Sequence, residues 1–168
     1  MIELRNATLN DIPVILNICD DARAFQREQG FMQWGDGYPS SEVIEADIHA
    51  SKGFLILLDN AIVGYCVIDL SRDIEYDLHP EIWESDGDYA AVHRLALSQN
   101  ARNKRLGHQI FATIEQYVSS KGIKIFKVDT GVENIRMQRI MDTSGYKNLG
   151  IHNFKWGIRI AYEKVLQK

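Results

Sequence analysis

Four segments of the chain carry apolar residues at intervals of three and four positions, which is the period of an amphipathic helix. The predicted helices cover residues 12–30, 40–50, 106–122 and 130–145. Their boundaries follow capping chemistry: Thr8 with Asp11, Ser40 or Ser41, and a box from Thr130 to Glu133 are typical helix starts. Glycines follow three of the four helices, as expected where a helix ends.

Continuous or alternating apolar runs between these helices predict seven strands, at residues 2–6, 53–58, 61–70, 89–97, 123–129, 146–152 and 158–165. Asp59-Asn60 between two runs is a hairpin signal. In the run 89–97, alternation would place five side chains on one face, namely Tyr89, Ala91, His93, Leu95 and Leu97. The order of helices and strands predicts a mixed sheet covered by helices, and 168 residues suit one domain over 1–168.

Composition narrows the class of protein. Hydrophobic residues make up 45% and charged residues 25%, which predicts a globular domain. No apolar run reaches the ~20 residues of a membrane span, and the first residues lack the apolar core of a signal peptide, so we expect a cytoplasmic protein that does not bind membranes. Cys19 and Cys66 lie in apolar patterns and are expected to be reduced packing residues, with neither a disulfide nor a metal site.

The charge distribution points to a small anionic ligand. A net charge of −4 argues against a nucleic-acid binder, yet five basic side chains cluster around one turn: Arg94, Arg102, Lys104, Arg105 and His108. A strand that ends in a tight turn before a helix presents unpaired N–H groups and a positive dipole to a phosphate. A solvated basic turn is the alternative interpretation. The turn lacks the glycine patterns of P-loop and dinucleotide-binding proteins.

The turn resembles the pyrophosphate loop of the GNAT superfamily of N-acetyltransferases, whose pattern is [QR]-x-x-G-x-[GA]. In the segment RNKRLG, Arg102 and Gly107 match the first and last fixed positions, and Arg105 stands where the middle glycine is expected. A second segment, ENIRMQRIMDTSGY, resembles the next helix of that family through Asn134, Ile140, Gly145 and Tyr146.

The resemblance implies a fold and a cofactor. The expected fold is α/β (α+β), with a mixed, mostly antiparallel sheet of six to seven strands and about four helices on both faces. The expected acyl donor is acetyl-CoA. By resemblance, the backbone of Leu95, Ala96 and Leu97 pairs with the pantetheine arm, and Asn134 contacts its amide region. The pyrophosphate is assigned to seven loop residues, namely Arg102, Asn103, Lys104, Arg105, Leu106, Gly107 and His108.

The catalytic groups typical of the family are missing from their usual positions. Ala91 stands where many relatives carry a glutamate base, which leaves His93 as the candidate base; the alternative is that His93 packs under the sheet. Met141 stands where a tyrosine acid is usual, and a thioether cannot donate a proton. Water, Tyr89 or Tyr38 are then the candidates that assist departure of the thiolate.

By the same resemblance, acceptor selection is expected in the segment between the first two helices and in the terminal strands. Trp34, Tyr38, Trp83 and Trp156 are candidates to line a pocket, and Asp36, Asp86 or Asp88 to attract an amine. Packing of loops onto the domain is the alternative role for these aromatic residues.

Three functions stay open from the sequence. The first is an acetyl-CoA-dependent N-acetyltransferase for a primary amine of a small molecule, peptide or protein. The second is an acyl-CoA-binding sensor with weak catalysis, and the third is an interaction module without a cofactor. Uncovered terminal strands would also permit a homodimer.

Overall fold

The computed structural model describes residues 1–167, which form seven strands and five α-helices. The strands are β1 (Ile2–Asn6), β2 (Gly53–Leu58), β3 (Ala61–Asp69), β4 (Tyr89–Leu97), β5 (Ile125–Gly131), β6 (Lys147–Phe154) and β7 (Gly157–Val165). The helices are α1 (Ile12–Glu28), α2 (Ser41–His49), α3 (Ile74–Asp77), α4 (Gly107–Ser120) and α5 (Ile135–Thr143).

Helix starts follow the predicted capping residues in two of three cases. Thr8 N donates to Asp11 Oδ2 at 2.8 Å ahead of α1, and Ser40 Oγ accepts from Val43 N at 3.3 Å at the start of α2. The predicted cap at Thr130 is wrong. Thr130 is a buried residue of β5, paired with β7, and α5 begins at Ile135, capped by Asn134.

The chain divides into two compact units. The amino unit, residues 1–68 and 93–113, contains antiparallel pairs between β1 and β2 and between β2 and β3. Asp59 and Asn60 both have positive φ, 48° and 69°, which is the two-residue turn that matches strand twist. Its core packs α1 and α2 on the sheet through Ile15, Ile44 and Tyr65, all with no exposed surface.

The carboxy unit, residues 69–92 and from 114 onward, contains the pairs of β4 with β5, β5 with β7, and β7 with β6. The first residues of β4 run parallel to β5, and β7 lies antiparallel between β5 and β6. Its core is rich in aromatic rings, with Tyr76 at the centre and Tyr89, Phe154 and Trp156 around it.

The strand order is β1-β2-β3-β4-β5-β7-β6. The first half of β4 belongs to the carboxy unit and its second half to the amino unit. This arrangement of strands confirms a mixed, mostly antiparallel sheet and sets the strand number at seven. Within residues 1–167 no helix has both the length and the apolar character of a membrane span.

Both cysteines are buried thiols, in line with a packing role, and burial raises the pKa of Cys19 and of Cys66 to about 12. No cluster of three side chains suited to hold a metal ion occurs among the described residues.

Candidate functional site

The segment that links β4 to α4 has the geometry of an anion site. Two of its residues that are not glycine, Asn103 and Arg105, have left-handed backbones, with φ of 64° and 54°. The helix starts at once after the turn, since Ile110 N donates to Leu106 O at 2.9 Å. The first amides of α4 precede any acceptor within the helix, so they can bind a ligand at the positive end of the helix dipole.

The loop is fastened to α1 through Arg102. Its guanidinium lies 4.3 Å from the centre of the Phe25 ring, and Nη2 donates to the carbonyl of Asp21. The carboxylate of Asp21 also accepts Gln99 N at 2.9 Å. These contacts engage the guanidinium of Arg102 with α1, so its backbone is the part that stays available to a ligand. The contact of Arg102 with the pyrophosphate stays a prediction. Sequence reasoning missed the roles of Asp21 and Phe25.

The exposure of the other predicted loop residues is consistent with binding of a ligand by the main chain of the loop. Asn103, Lys104, Arg105 and His108 are exposed, and Leu106 is buried beneath the loop. The φ of Arg105 is one that glycine adopts without cost. This explains why the pattern of the loop prefers glycine there, and it shows that the loop conformation forms with an arginine.

The second half of β4 is close-packed along one edge. Ser98 N donates to Val63 O on β3 at 2.8 Å, and a Cβ at Gly64 would lie 2.7 Å from the carbonyl oxygen of Ala96. On the other edge, the register with β5 ends at Ala91 and Lys127. Within the described chain, the main-chain groups of residues 95–97 therefore have no partner in that register. This edge suits an extended chain of amide groups, as predicted for pantetheine.

The predicted alternation along β4 is interrupted at Arg94. Its φ of 50° leaves the extended conformation, so counting by twos from Tyr89 does not carry beyond it. Tyr89 and Ala91 pack in the core of the carboxy unit, whereas Ala96 packs with Tyr65 in the core of the amino unit. The predicted single face through Leu97 is wrong for this reason.

Arg94 is held by a buried carboxylate on α2. Its Nε donates to Asp47 Oδ2 at 2.9 Å, and its Nη2 donates to Oδ1 of the same side chain. Tyr65 OH adds a third bond to Asp47 at 2.9 Å. Burial alone would lower the pKa of Arg94, but the hydrogen bonds and charge of Asp47 outweigh burial and raise it. The Arg94 guanidinium therefore carries its charge at neutral pH.

The predicted catalytic positions show no conventional acid and base. Ala91 and Met141 are fully buried apolar residues, so the glutamate and tyrosine of other family patterns have no substitute there. His93 is half-buried at the start of the irregular half of β4, and its Nε2 atom is shielded from solvent. Its position beside Arg94 keeps it as the candidate base.

Tyr89 has a structural role that sequence reasoning did not anticipate. Its hydroxyl accepts Asp73 N at 2.8 Å and donates toward Asp77 Oδ1 at 2.8 Å, which fixes the ends of α3. The amine of Lys127 lies 4.1 Å from its ring centre. Burial raises the pKa of Tyr89. The prediction that Tyr89 protonates the thiolate is therefore revised, since its hydroxyl is engaged elsewhere.

In the amino unit, the predicted acceptor residues differ in exposure. Trp34 is buried, and its ring meets that of Tyr38 edge-on at 6.1 Å. Tyr38 is 39% exposed, and its hydroxyl accepts from Arg94 Nη1 at 3.2 Å. Asp36 pairs with Arg27 on α1. Tyr38 and Asp36 have the exposure that contact with a substrate needs, whereas Trp34 does not.

In the carboxy unit, Trp156 and Trp83 belong to an aromatic cluster. Trp156 Nε1 donates to Asp129 Oδ1 at 3.2 Å, and its ring stacks on that of Phe154. Trp83 Nε1 donates to Tyr76 O at 3.1 Å. Asp86 and Asp88 are exposed.

Sequence reasoning missed the buried charges of the carboxy unit, which include Glu75, Lys127, Asp129 and Glu163. Charges that alternate with apolar residues along a strand are read as its solvent face, so no signal marked those on β5 and β7 as buried.

Asn134 caps α5 with its side chain, because Oδ1 accepts from Met137 N at 3.2 Å. The cap bond uses the carbonyl of the side-chain amide and not its NH₂ group. The predicted contact of Asn134 with pantetheine stays a prediction.

The sequence profile of the Acetyltransferase (GNAT) family matches residues 19–146 of this chain. The chain belongs to the GNAT family. The matched range includes α2, all of β4, the loop and α5, so it contains both motifs on which the resemblance rested. No curated protein sequence matches the chain at a significant level.

Solved GNAT structures share the fold over nearly the whole chain. An acetyltransferase of the GNAT family from Streptococcus agalactiae is 26% identical with a TM-score of 0.86, covering 99% of this chain and 96% of its own. The aminoglycoside acetyltransferase AAC(6′)-Ib, in complex with paromomycin and acetyl-CoA, is 15% identical with a TM-score of 0.75, covering 98% and 93%. A ribosomal-protein-alanine N-acetyltransferase from Brucella melitensis is 16% identical with a TM-score of 0.69, covering 98% and 99%.

Proposed function

We propose that this GNAT protein transfers the acetyl group of acetyl-CoA to a primary amine. The observation that carries the proposal is the junction of β4 and α4. There a loop with two left-handed residues leads straight into a helix and is fastened to α1 by Arg102. Such a junction binds a phosphate through amides and a helix dipole, and CoA carries a pyrophosphate.

Residues 95–97 supply the second element of donor binding. Their main chain follows Arg94 and precedes the loop, so it can pair with the pantetheine amides while the loop holds the pyrophosphate. This arrangement would orient the thioester along β4. In the reaction, the amine nitrogen forms a bond to the thioester carbonyl carbon, and the carbon–sulfur bond breaks. Starting from the ammonium form, the nitrogen loses two protons: one passes to a base and on to solvent, and the other is balanced by the proton that the sulfur of CoA gains.

His93 is the residue we assign as base. Imidazole is the side chain that most readily takes up and releases a proton near neutral pH, which suits it to general-base catalysis. Its place on β4, two residues before Leu95, is where the acetyl end of a molecule bound along the strand would lie. Water is the donor we assign to the departing thiolate, since Met141 carries no proton to donate and Tyr89 is engaged with Asp73 and Asp77.

The acceptor class we propose is a small cationic amine. The chain has a net charge of −4, which favours encounter with a cation. Tyr38, Asp86 and Asp88 are exposed groups suited to contact an ammonium ion. One relative of the same fold, AAC(6′)-Ib, forms a complex with paromomycin, an aminoglycoside that carries several amines, and this likeness supports the class.

One observation favours a second candidate, a module that binds acetyl-CoA with little turnover. Ala91 and Met141 are both fully buried. A side chain at the surface therefore cannot reach either position by changing its rotamer and replace the missing base or acid there. A thiol-release assay separates the two candidates. We expect the protein with acetyl-CoA and a panel of primary amines to release CoA well above the rate without amine, and His93→Gln to lower kcat far more than acetyl-CoA affinity.

Tight binding of acetyl-CoA without amine-dependent thiol release would favour the binding module and contradict the enzyme. Tyr117→Phe is a suitable control for effects of expression and purification on the measured activity. Tyr117 lies in the last turn of α4, at the opposite end of that helix from the loop, and has no part in the assigned site.

A further inference from the structure

The left-handed residue inside β4 requires a cause. Arg94 is not glycine, its φ is 50°, and it lies within a strand rather than in a turn. A side chain with a Cβ occupies this region only at a cost in free energy, which surrounding interactions must offset. A single irregular residue also shifts the faces of all later residues in a strand by one position. The geometry at Arg94 therefore decides how residues 95–97 are presented.

The interactions that offset this cost are those of the Arg94 clamp, which we define as Arg94, Asp47 and Tyr65. The guanidinium binds both carboxylate oxygens of Asp47, and Tyr65 OH donates to the same carboxylate. Two parallel bonds fix the plane of a guanidinium as a single bond cannot. Because the side chain of Asp47 is only 8% exposed and that of Arg94 20%, water competes weakly for these bonds.

We infer that the Arg94 clamp positions the backbone of residues 95–97 for the pantetheine arm of CoA. The inference rests on the proposed function. It assigns Arg94 and Asp47 as positioning residues, which act on the ligand through the strand and do not touch the reacting atoms. The loop that would bind the pyrophosphate is fastened separately, by Arg102 on α1. The two parts of CoA should therefore respond differently when the clamp is broken.

The test compares two ligands by calorimetric titration. One is CoA, and the other is 3′-phospho-ADP, which is CoA without its pantetheine arm. We expect Arg94→Gln to weaken CoA binding about tenfold, equivalent to one or two lost strand-edge hydrogen bonds. Binding of 3′-phospho-ADP should change by about twofold or less, because the loop keeps its own anchor. Arg94→Lys should also weaken CoA selectively, since an ammonium group cannot bind both carboxylate oxygens in one plane.

The matched control is Arg5→Gln. Arg5 also bonds to an aspartate in the amino unit, Asp11, at 3.1 Å, but lies on β1 away from the loop, and we expect no change for either ligand. Circular dichroism establishes that each variant is folded. If Arg94→Gln does not fold, Arg94→Lys, which keeps the charge, provides the comparison.

Equal weakening of CoA and 3′-phospho-ADP would show that the clamp only stabilises the unit, and it would overturn the inference. CoA binding that is unchanged in both variants would overturn it as well. These outcomes leave the proposed function intact provided that the wild-type protein binds CoA. A wild-type protein that binds neither ligand would contradict the proposed function itself, and the inference with it.

Discussion

Strand β4 has two halves that differ in backbone geometry, burial and partners. Residues 89–92 are all buried, and three of them pair in register with β5. Residues 93–97 contain a left-handed residue, and only Ala96 among them is buried. The first half is built like the core of any sheet. The second half departs from regular geometry at the residues that we propose to bind the pantetheine arm, and backbone strain of this kind is often found at functional sites.

The largest effect should come from a charge introduced into the first half. Ala91→Glu adds a methylene group and a carboxylate to the apolar cluster around Tyr76, where Ala91 has no exposed surface. We expect a loss of about 4 kcal/mol in the free energy of unfolding, measured with urea. Leu95→Glu, in the partly exposed second half, should cost about 1 kcal/mol. Equal losses would contradict the division of β4 into a packed half and a ligand-facing half.

The next effect concerns the carboxylate that holds the second half. Asp47→Ala leaves the Arg94 guanidinium without its buried partner and should lower the free energy of unfolding by about 3 kcal/mol. Asp36→Ala is the matched control. It removes the aspartate of an exposed pair, with the Asp36 side chain 90% exposed, and should cost about 0.5 kcal/mol or less. A similar, small cost for both changes would mean that Asp47 does not hold β4.

A smaller effect should follow when the loop loses its anchor. Arg102→Ala removes the contact with the Phe25 ring and the bond to Asp21, which should cost about 1 kcal/mol of stability. A loosened loop should bind CoA about fivefold more weakly in calorimetry. The control is Arg27→Ala, which removes an exposed arginine of α1 that pairs with Asp36. It should alter neither the stability nor the affinity for CoA. Unchanged CoA affinity in Arg102→Ala would show that the loop needs no anchor on α1.

The smallest effect is expected at the position where the family pattern has glycine. Arg105→Gly relieves a left-handed arginine but makes the unfolded chain more flexible, so we expect a net gain of about 0.5 kcal/mol. Affinity for CoA should stay within about threefold, because the amides and not the side chain hold the phosphate.

Lys104→Gly, at a neighbouring position outside the left-handed region, should instead destabilise the protein by about 0.5 kcal/mol. A large gain in CoA affinity for Arg105→Gly would mean that Arg105 obstructs the site.

Local signals account for the part of this structure that the sequence predicts. The bounds of β2 and β4, the cap at Ser40 and the turn at Asp59-Asn60 follow from residues that are adjacent in the chain. The position of the loop before α4 follows from the same kind of information, because strand, basic turn and helix are contiguous.

The features that sequence reasoning missed depend on contacts between distant residues. Asp47 and Arg94 are 47 positions apart, and nothing near either residue announces the pair. Without this pair, the extended conformation is more favourable than the left-handed one for an arginine inside an alternating strand. Local sequence therefore predicts regular alternation through Leu97. Tyr89 was misjudged for the same reason, because its partners Asp73 and Asp77 lie in a segment predicted as an irregular connection.

The central claim is that the loop between β4 and α4 binds the pyrophosphate of CoA with Arg105 in place of glycine. Calorimetric titration of the purified protein with acetyl-CoA, free CoA and NAD tests it most directly. We predict saturable binding of acetyl-CoA and CoA and no binding of NAD. Absence of binding by either CoA species at millimolar concentration would contradict the claim and reduce the likeness to other GNAT proteins to one of fold.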